Sequence, residues 1–164
     1  MHGDWFDAGA GTRWHPVSPK LASLRHTVLV VAVAASTALL ALFAYATGRS
    51  GAGVAVVVAG VLAVGVGWRM VGRNVAAWGY TERERDLVVR RGVLFRQLVV
   101  VPYGRMQFVD VQAGPLERAF GLATVQLHTA AASTDAHIPG LEPAEAARLR
   151  DRLASRGEAQ SAGL

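Results

Sequence analysis

Residues 27–47, TVLVVAVAASTALLALFAYAT, and residues 52–71, AGVAVVVAGVLAVGVGWRMV, decide how this chain is built. Neither run holds a charged side chain before Arg69, close to the end of the second. A hydrocarbon core about 30 Å thick takes roughly 20 apolar residues as α-helix, and each run supplies that length. Only Gly48, Arg49, Ser50 and Gly51 separate them. The pattern predicts a two-helix transmembrane hairpin, with spans over 27–47 and 52–72 and a turn over 48–51. A tail over 1–26 precedes the hairpin. A soluble domain over 75–155 and a flexible tail over 156–164 follow it.

Basic residues set the expected orientation. Arg13, Lys20 and Arg25 precede the first span, Arg69 and Arg73 close the second, and the turn holds Arg49 alone. Cytoplasmic flanks of membrane helices collect Lys and Arg, so both termini are expected in the cytoplasm of a multi-pass inner-membrane protein, with the 48–51 turn outside. The net charge is +5, and residues 1–74 account for +4 of it, from six basic and two acidic residues. A nucleic-acid binder would instead concentrate positive charge on its folded domain. Nucleic acid is therefore not expected as a partner; the lipid bilayer is. With no cysteine, the 164-residue chain has no disulfide, thiolate ligand or thiol nucleophile.

Arg25, the first run and Ala44-Tyr45-Ala46 also resemble a secretory signal with a small-residue cleavage site. The long preceding segment, the length of the run and the second span behind it favour an uncleaved hairpin. Neither run carries a mid-span ionisable group of the kind pumps and proton-coupled transporters use, which argues against transport by the hairpin alone. Ala55, Ala59, Ala63 and Gly67 recur every four residues along the second span. Such a small-residue stripe lets a second backbone approach closely, within the hairpin or in a dimer.

From Val75 the grammar changes to short β-like segments broken by Gly and Pro. Asp86 to Arg91, Val93 to Val101 and Arg105 to Ala113 read as strands, with a tight hairpin expected at Arg91-Gly92 and an earlier strand expected to begin within Val75 to Tyr80. Ala123, Val125 and Leu127 alternate with Thr124, Gln126 and His128, the period of a half-buried strand, and Asp135 to Ile138 is its short partner. Pro143 suits the first turn of a helix, Ala146, Leu149 and Leu153 form one apolar stripe, and Gly157 marks the expected stop. Six or seven antiparallel strands closed by a C-terminal amphipathic helix follow: a small mainly-β barrel.

At this point the residues resemble the bacterial pleckstrin-homology-like membrane family, the YdbS-like group. The matching pieces are Arg90-Arg91-Gly92-Val93-Leu94, Val101-Pro102-Tyr103-Gly104-Arg105-Met106-Gln107 and Val109-Asp110-Val111-Gln112. Gly114-Pro115-Leu116-Glu117-Arg118, Phe120-Gly121-Leu122-Ala123-Thr124-Val125 and Ile138-Pro139-Gly140-Leu141 complete them, in that order. The resemblance covers Val75 to Leu153. It implies a PH-like barrel with a capping helix at the inner membrane surface, and brings no catalytic site, metal or cofactor. Eukaryotic PH domains often bind phosphoinositides through a basic loop, and the nearest analogue here is Arg83, Arg85, Arg90, Arg91 and Arg96, interleaved with Glu82, Glu84 and Asp86.

Catalytic constellations are absent from the sequence. None of His2, His15, His26, His128 and His137 forms an i, i+4 ligand pair, and a two-histidine metal site from His128 and His137 would lack further ligands. His2, Asp4 and Asp7 are weak chelators at a terminus. No Gly-x-Ser-x-Gly elbow or Walker loop occurs. Asp110 and Glu117 are the close carboxylates of the central region, and a loop Glu beside Arg118 is the simpler reading of that pair. The expected function is non-catalytic: a membrane-held PH-like interaction module for a membrane-protein partner or a second copy. Phe95, Phe108, Leu116 and Phe120 are its candidate contacts, and anionic lipid headgroups at the five arginines are the alternative ligand.

Overall fold

The computed structural model describes residues 13–130 and 135–162, with side chains through Gln160. The chain divides into a unit of Ala22–Arg73 and a second unit that joins the segment before Ala22 to everything from Asn74 onward.

The first unit is the helical hairpin. Helix α1 covers Lys20–Ala46 and α2 covers Ser50–Ala76, each extending beyond its apolar run. Both are long and apolar enough to cross a membrane. Leu39, Leu42, Phe43, Val54 and Leu62 point outward from the pair, as lipid-facing side chains would. The helices meet along Gly53, Gly60 and Gly67. A Cβ at Gly67 would come within 2.8 Å of Leu29, and one at Gly60 would overlap the Thr37 side chain. The seven-residue spacing of these glycines keeps one seam facing a partner helix that crosses at a shallow angle. Ala55, Ala59 and Ala63 lie exposed on another face, so of the expected stripe only Gly67 packs within the hairpin. At one end of the pair His26 stacks on Trp68 with centroids 3.8 Å apart, and its Nε2 donates to the Trp68 carbonyl at 3.0 Å. The Ser36 hydroxyl donates back to the Ala32 carbonyl at 2.7 Å, which removes an unsatisfied polar group from an apolar helix.

Among the described residues the second unit contains seven strands in two antiparallel sheets. The first sheet runs in order through β1 (His15–Pro16), β2 (Gly79–Glu82), β3 (Asp86–Arg91) and β4 (Gln97–Pro102). The second holds β5 (Met106–Gln112), β6 (Ala123–Thr129) and β7 (Ala136–Leu141), with a short helix α3 (Pro115–Ala119) between β5 and β6. Helix α4 (Pro143–Ala162) closes the fold. Ala123, Val125 and Leu127 are buried, as their alternation predicts, and Ala146, Leu149 and Leu153 bring the α4 stripe against the sheets. Each of those two leucines contributes about 2 kcal/mol by burial. Tyr103, in the single 3-10 turn after β4, is fully buried between the two sheets' connecting segments and α4.

Three sequence expectations need correcting. The segment before the first span is no detached tail: His15 pairs with Tyr80 and Pro16 with Gly79. Val17 and Leu21 enter the core at 6% and 3% exposure. The Ser18 amide donates to the Gly140 carbonyl at 2.8 Å, so this segment also reaches β7. A two-residue strand has too few positions to show a period, and its partner lies beyond both helices. The Arg91-Gly92 hairpin is wider than expected, because residues 92–96 form the connection and β4 starts at Gln97. Gly92 does take positive φ, +94°. Finally, α4 does not stop at Gly157. The helix runs on to Ala162, Gly157 takes no left-handed cap conformation, and a Cβ there would make an ordinary van der Waals contact with the Tyr103 carbonyl at 3.6 Å.

Arg156 clamps this end of the fold. Its Nη1 donates to the Arg83 carbonyl at 2.9 Å and to the Tyr103 hydroxyl at 3.0 Å. The Tyr103 hydroxyl itself donates to the Arg83 carbonyl at 3.0 Å, and Arg152 meets Glu82 at 3.1 Å. Burial raises the Tyr103 phenol above its ordinary value of 10.0, although the Arg156 hydrogen bond pulls the other way. Burial likewise raises Tyr80, with Glu82 adding to it.

Two predictions follow from these contacts. Gly140 has φ +69°, and a Cβ there would lie 2.7 Å from Leu21. Gly140→Ala should therefore destabilise the domain by about 2 kcal/mol in denaturant titration of the detergent-solubilised chain; a loss under about 0.5 kcal/mol would mean that Leu21 does not pack there. Because the native phenols of Tyr80 and Tyr103 ionise less readily than unfolded ones, their contribution is complete below pH 10.0 and declines as pH rises above it. Thermal melts should show that alkaline decline, and Tyr103→Phe should make it shallower while lowering neutral-pH stability by about 1 kcal/mol.

Candidate functional site

The arginines singled out in the sequence do not assemble into one site. Arg83 and Arg85 lie in the β2–β3 turn, whereas Arg90 and Arg91 close the opposite end of β3, where Gly79 pairs with Arg90. Arg96 belongs to the β3–β4 connection at that second end. Four to six residues of strand, at about 3.3 Å each, keep the two groups apart.

At the β2–β3 end, Arg85 borders an open groove of about 760 Å³ lined by Glu84, Arg105, Arg156 and Gln160. The Arg83 guanidinium reaches Asp86 at 3.9 Å, and its carbonyl is occupied by Tyr103 and Arg156. Arg156 is half-buried and committed to the fold, which leaves Arg85 and Arg105 as the exposed cations of the groove, with Glu84 in the same lining.

The Arg90 end differs. The Arg90 guanidinium lies 4.6 Å over the Trp14 ring, a cation–π contact supplied by the segment that precedes α1. Its Nε is buried with no hydrogen-bond partner among the described residues. Arg91 Nε donates to Gln97 Oε1 at 2.9 Å across the β3–β4 pair. Between these arginines and Arg96, the connection exposes Leu94 at 80% and Phe95 at 85%.

The four apolar contact candidates occupy separate places. Phe95 tips the β3–β4 connection, and Phe108 stands on β5 at 57% exposure, stacked on His128 at 4.2 Å. Leu116 is exposed on α3, and Phe120 is half-buried at its end. Sequence reading missed the edges themselves. Strand β4 bonds only to β3 and β5 only to β6 among the described residues, so each leaves one side of its backbone unpaired. On the other side of the domain, β1 covers the edge of β2 and Ser18 bonds Gly140 of β7.

The suspected chemical groups have structural duties. Glu117 accepts from the Gly114 amide at 2.9 Å and from the Thr124 hydroxyl at 2.8 Å, tying α3 to β6, and Arg118 is not its partner in these bonds. Asp110 accepts from the Val111 amide and Gln112. His128 lies 3.5 Å from Asp135 while His137, opposite Gln126, tilts against Trp78 at 5.2 Å, so the two histidines engage different neighbours. Among the described residues no group of three or more His, Asp or Glu is placed to hold a metal ion. His2, Asp4 and Asp7 lie outside the described residues.

Comparison with known proteins agrees with this architecture. The transmembrane protein YdbS of Bacillus subtilis (strain 168) is 42% identical over 76 residues, which is 46% of this chain and 46% of that protein. The chain thus aligns with a little under half the length of the curated relative. No solved structure matches. The family model described as "Bacterial PH domain" matches residues 19–157, taking in both apolar helices and the domain as far as α4. On that match, over most of its length, the chain belongs to the bacterial PH domain family.

Proposed function

We propose that this chain is an integral membrane protein whose PH domain is a non-catalytic module, binding a partner through the free edges of β4 and β5. One observation carries the reading: two strands of a well-paired domain each keep an unbonded edge, beside exposed Val100 and Phe108. Unpaired N–H and C=O groups along an edge are a template for an added strand, and the neighbouring side-chain positions supply specificity. The partner that fits is an extended segment of another membrane protein, because anchorage in one bilayer raises the local concentration of such partners.

The basic flanks of both helices, set against Arg49 alone in the turn, favour termini in the cytoplasm. An uncleaved hairpin is favoured by packing as well as by length. Cleavage after Ala46 would take Val17, Leu21 and β1 out of the domain. Headgroup binding by all five arginines together is the weaker reading, since they occupy opposite ends of the sheet.

A photoreactive amino acid placed singly at Gln97, Val100 or Gln107 tests the edges in native membranes. The proposal expects a discrete adduct with another membrane protein at these positions and none from Ala154 on exposed α4. Equal labelling at all four positions would refute an edge-specific site, and adducts of twice the chain mass would identify a second copy as the occupant instead.

A further inference from the structure

The chain enters the PH domain from α2 through only Ala77 and Trp78 before β2 begins at Gly79. Those two residues stay close to the helix end, with Ala77 and Trp78 amides bonded to the Asn74 and Val75 carbonyls. Strand β2 leads away from that point and β3 returns to it, pairing Arg90 with Gly79. Residues 92–96 therefore project from the end of the sheet at which α2 arrives. Chain length alone keeps Arg90 within about 15 Å of Ala76, from the reach of three extended residues and one strand spacing. Ala76 in turn follows Arg73 by a single helical turn, and Arg69 and Arg73 are the residues expected at headgroup level.

What this end presents is unusual for a surface loop. Leu94 and Phe95 are the most exposed large apolar side chains of the domain, at 80% and 85%. They are not loosely held. A Cβ on Gly92 would overlap the Phe95 carbonyl oxygen, so the backbone folds tightly on itself with the two side chains at its tip. Arg90, Arg91 and Arg96 flank that tip in the sequence, and no acidic residue lies between Asp86 and Asp110. An apolar tip flanked by arginines matches an anionic bilayer surface: rings and branched chains enter the acyl boundary while cations meet lipid phosphates.

We propose that the β3–β4 connection inserts Leu94 and Phe95 into the anionic leaflet of the membrane that the helices span, with Arg90, Arg91 and Arg96 on the headgroups. The insertion gives the domain a third attachment beside its two chain connections and fixes which of its faces look into the cytoplasm. It uses a surface separate from the β4 and β5 edges, so either proposal can fail without the other.

The absence of cysteine makes the test direct. The full chain carrying Leu94→Cys is labelled with an environment-sensitive fluorophore. It is reconstituted in nanodiscs of phosphatidylcholine, or of equimolar phosphatidylcholine and phosphatidylglycerol, each with and without bromine on the acyl chains. Bromolipid quenching is expected in the mixed discs, and it should fall by about fivefold for each arginine replaced by Gln while the insertion is partial. The same label at Ser155→Cys on α4 should show none. Quenching at Leu94→Cys by aqueous iodide in place of bromolipid would overturn the proposal. So would protection from both quenchers, which would mean that protein covers the tip, and so would bromolipid quenching indifferent to lipid charge and to the arginines.

Discussion

The pairing of His15 and Pro16 with Tyr80 and Gly79 is the contact on which the rest of this molecule depends. It is a short ladder, reinforced by the His15–Tyr80 ring stack at 5.4 Å, by Val17 and Leu21 in the core, and by the Ser18 bond to Gly140. Because of it, the PH domain does not simply follow the apolar hairpin. The hairpin is an insertion between the first and second strands of the domain, which is attached to it by two connections. Close packing at Gly140 holds one of these connections, since any side chain there would displace Leu21. The Lys20–Glu142 ion pair at 2.7 Å lies at the surface beside it and adds little, as exposed pairs do.

Much of this architecture is legible in the sequence because the signals are long or strictly periodic. Two charge-free runs identify the helices, strict alternation identifies β6, and Ala146, Leu149 and Leu153 identify the buried face of α4. The parts that escape are those set by contacts distant in sequence. The β1 strand has two residues and a proline, so no period exists to be read. The hairpin seam uses glycines spaced by seven, and an alanine stripe spaced by four competes with it in the same run. Arg156 reads as a solvated helix cation, yet the nearby Tyr103 hydroxyl and Arg83 carbonyl draw it inward.

The site is less legible than the fold for a related reason. Five arginines within fourteen residues look like one basic patch in a linear reading, and the returning strand β3 carries them to opposite ends. Exposure of Phe95 and Phe108 is likewise a tertiary property, because isolated aromatics in β-rich sequence normally mark the core. Once folded, the domain presents distinct surfaces. There is a groove of mixed lining by Arg85 and Arg105, a pair of unbonded edges at β4 and β5, and an apolar tip flanked in sequence by Arg90, Arg91 and Arg96. The same topology that separates the cations gives each end a different chemistry, one a groove of mixed charged and apolar lining and one an exposed apolar tip between arginines.

The central claim is that the segment ahead of the first apolar helix is a working strand of the PH domain. Amide hydrogen exchange on the intact chain in lipid nanodiscs tests it most directly, read at Ser18, whose amide meets the Gly140 carbonyl at 2.8 Å. Protection of Ser18 comparable to that of the β2 and β3 amides is the expected result. Exchange at the rate of an unstructured peptide, with β2 and β3 still protected, would contradict it.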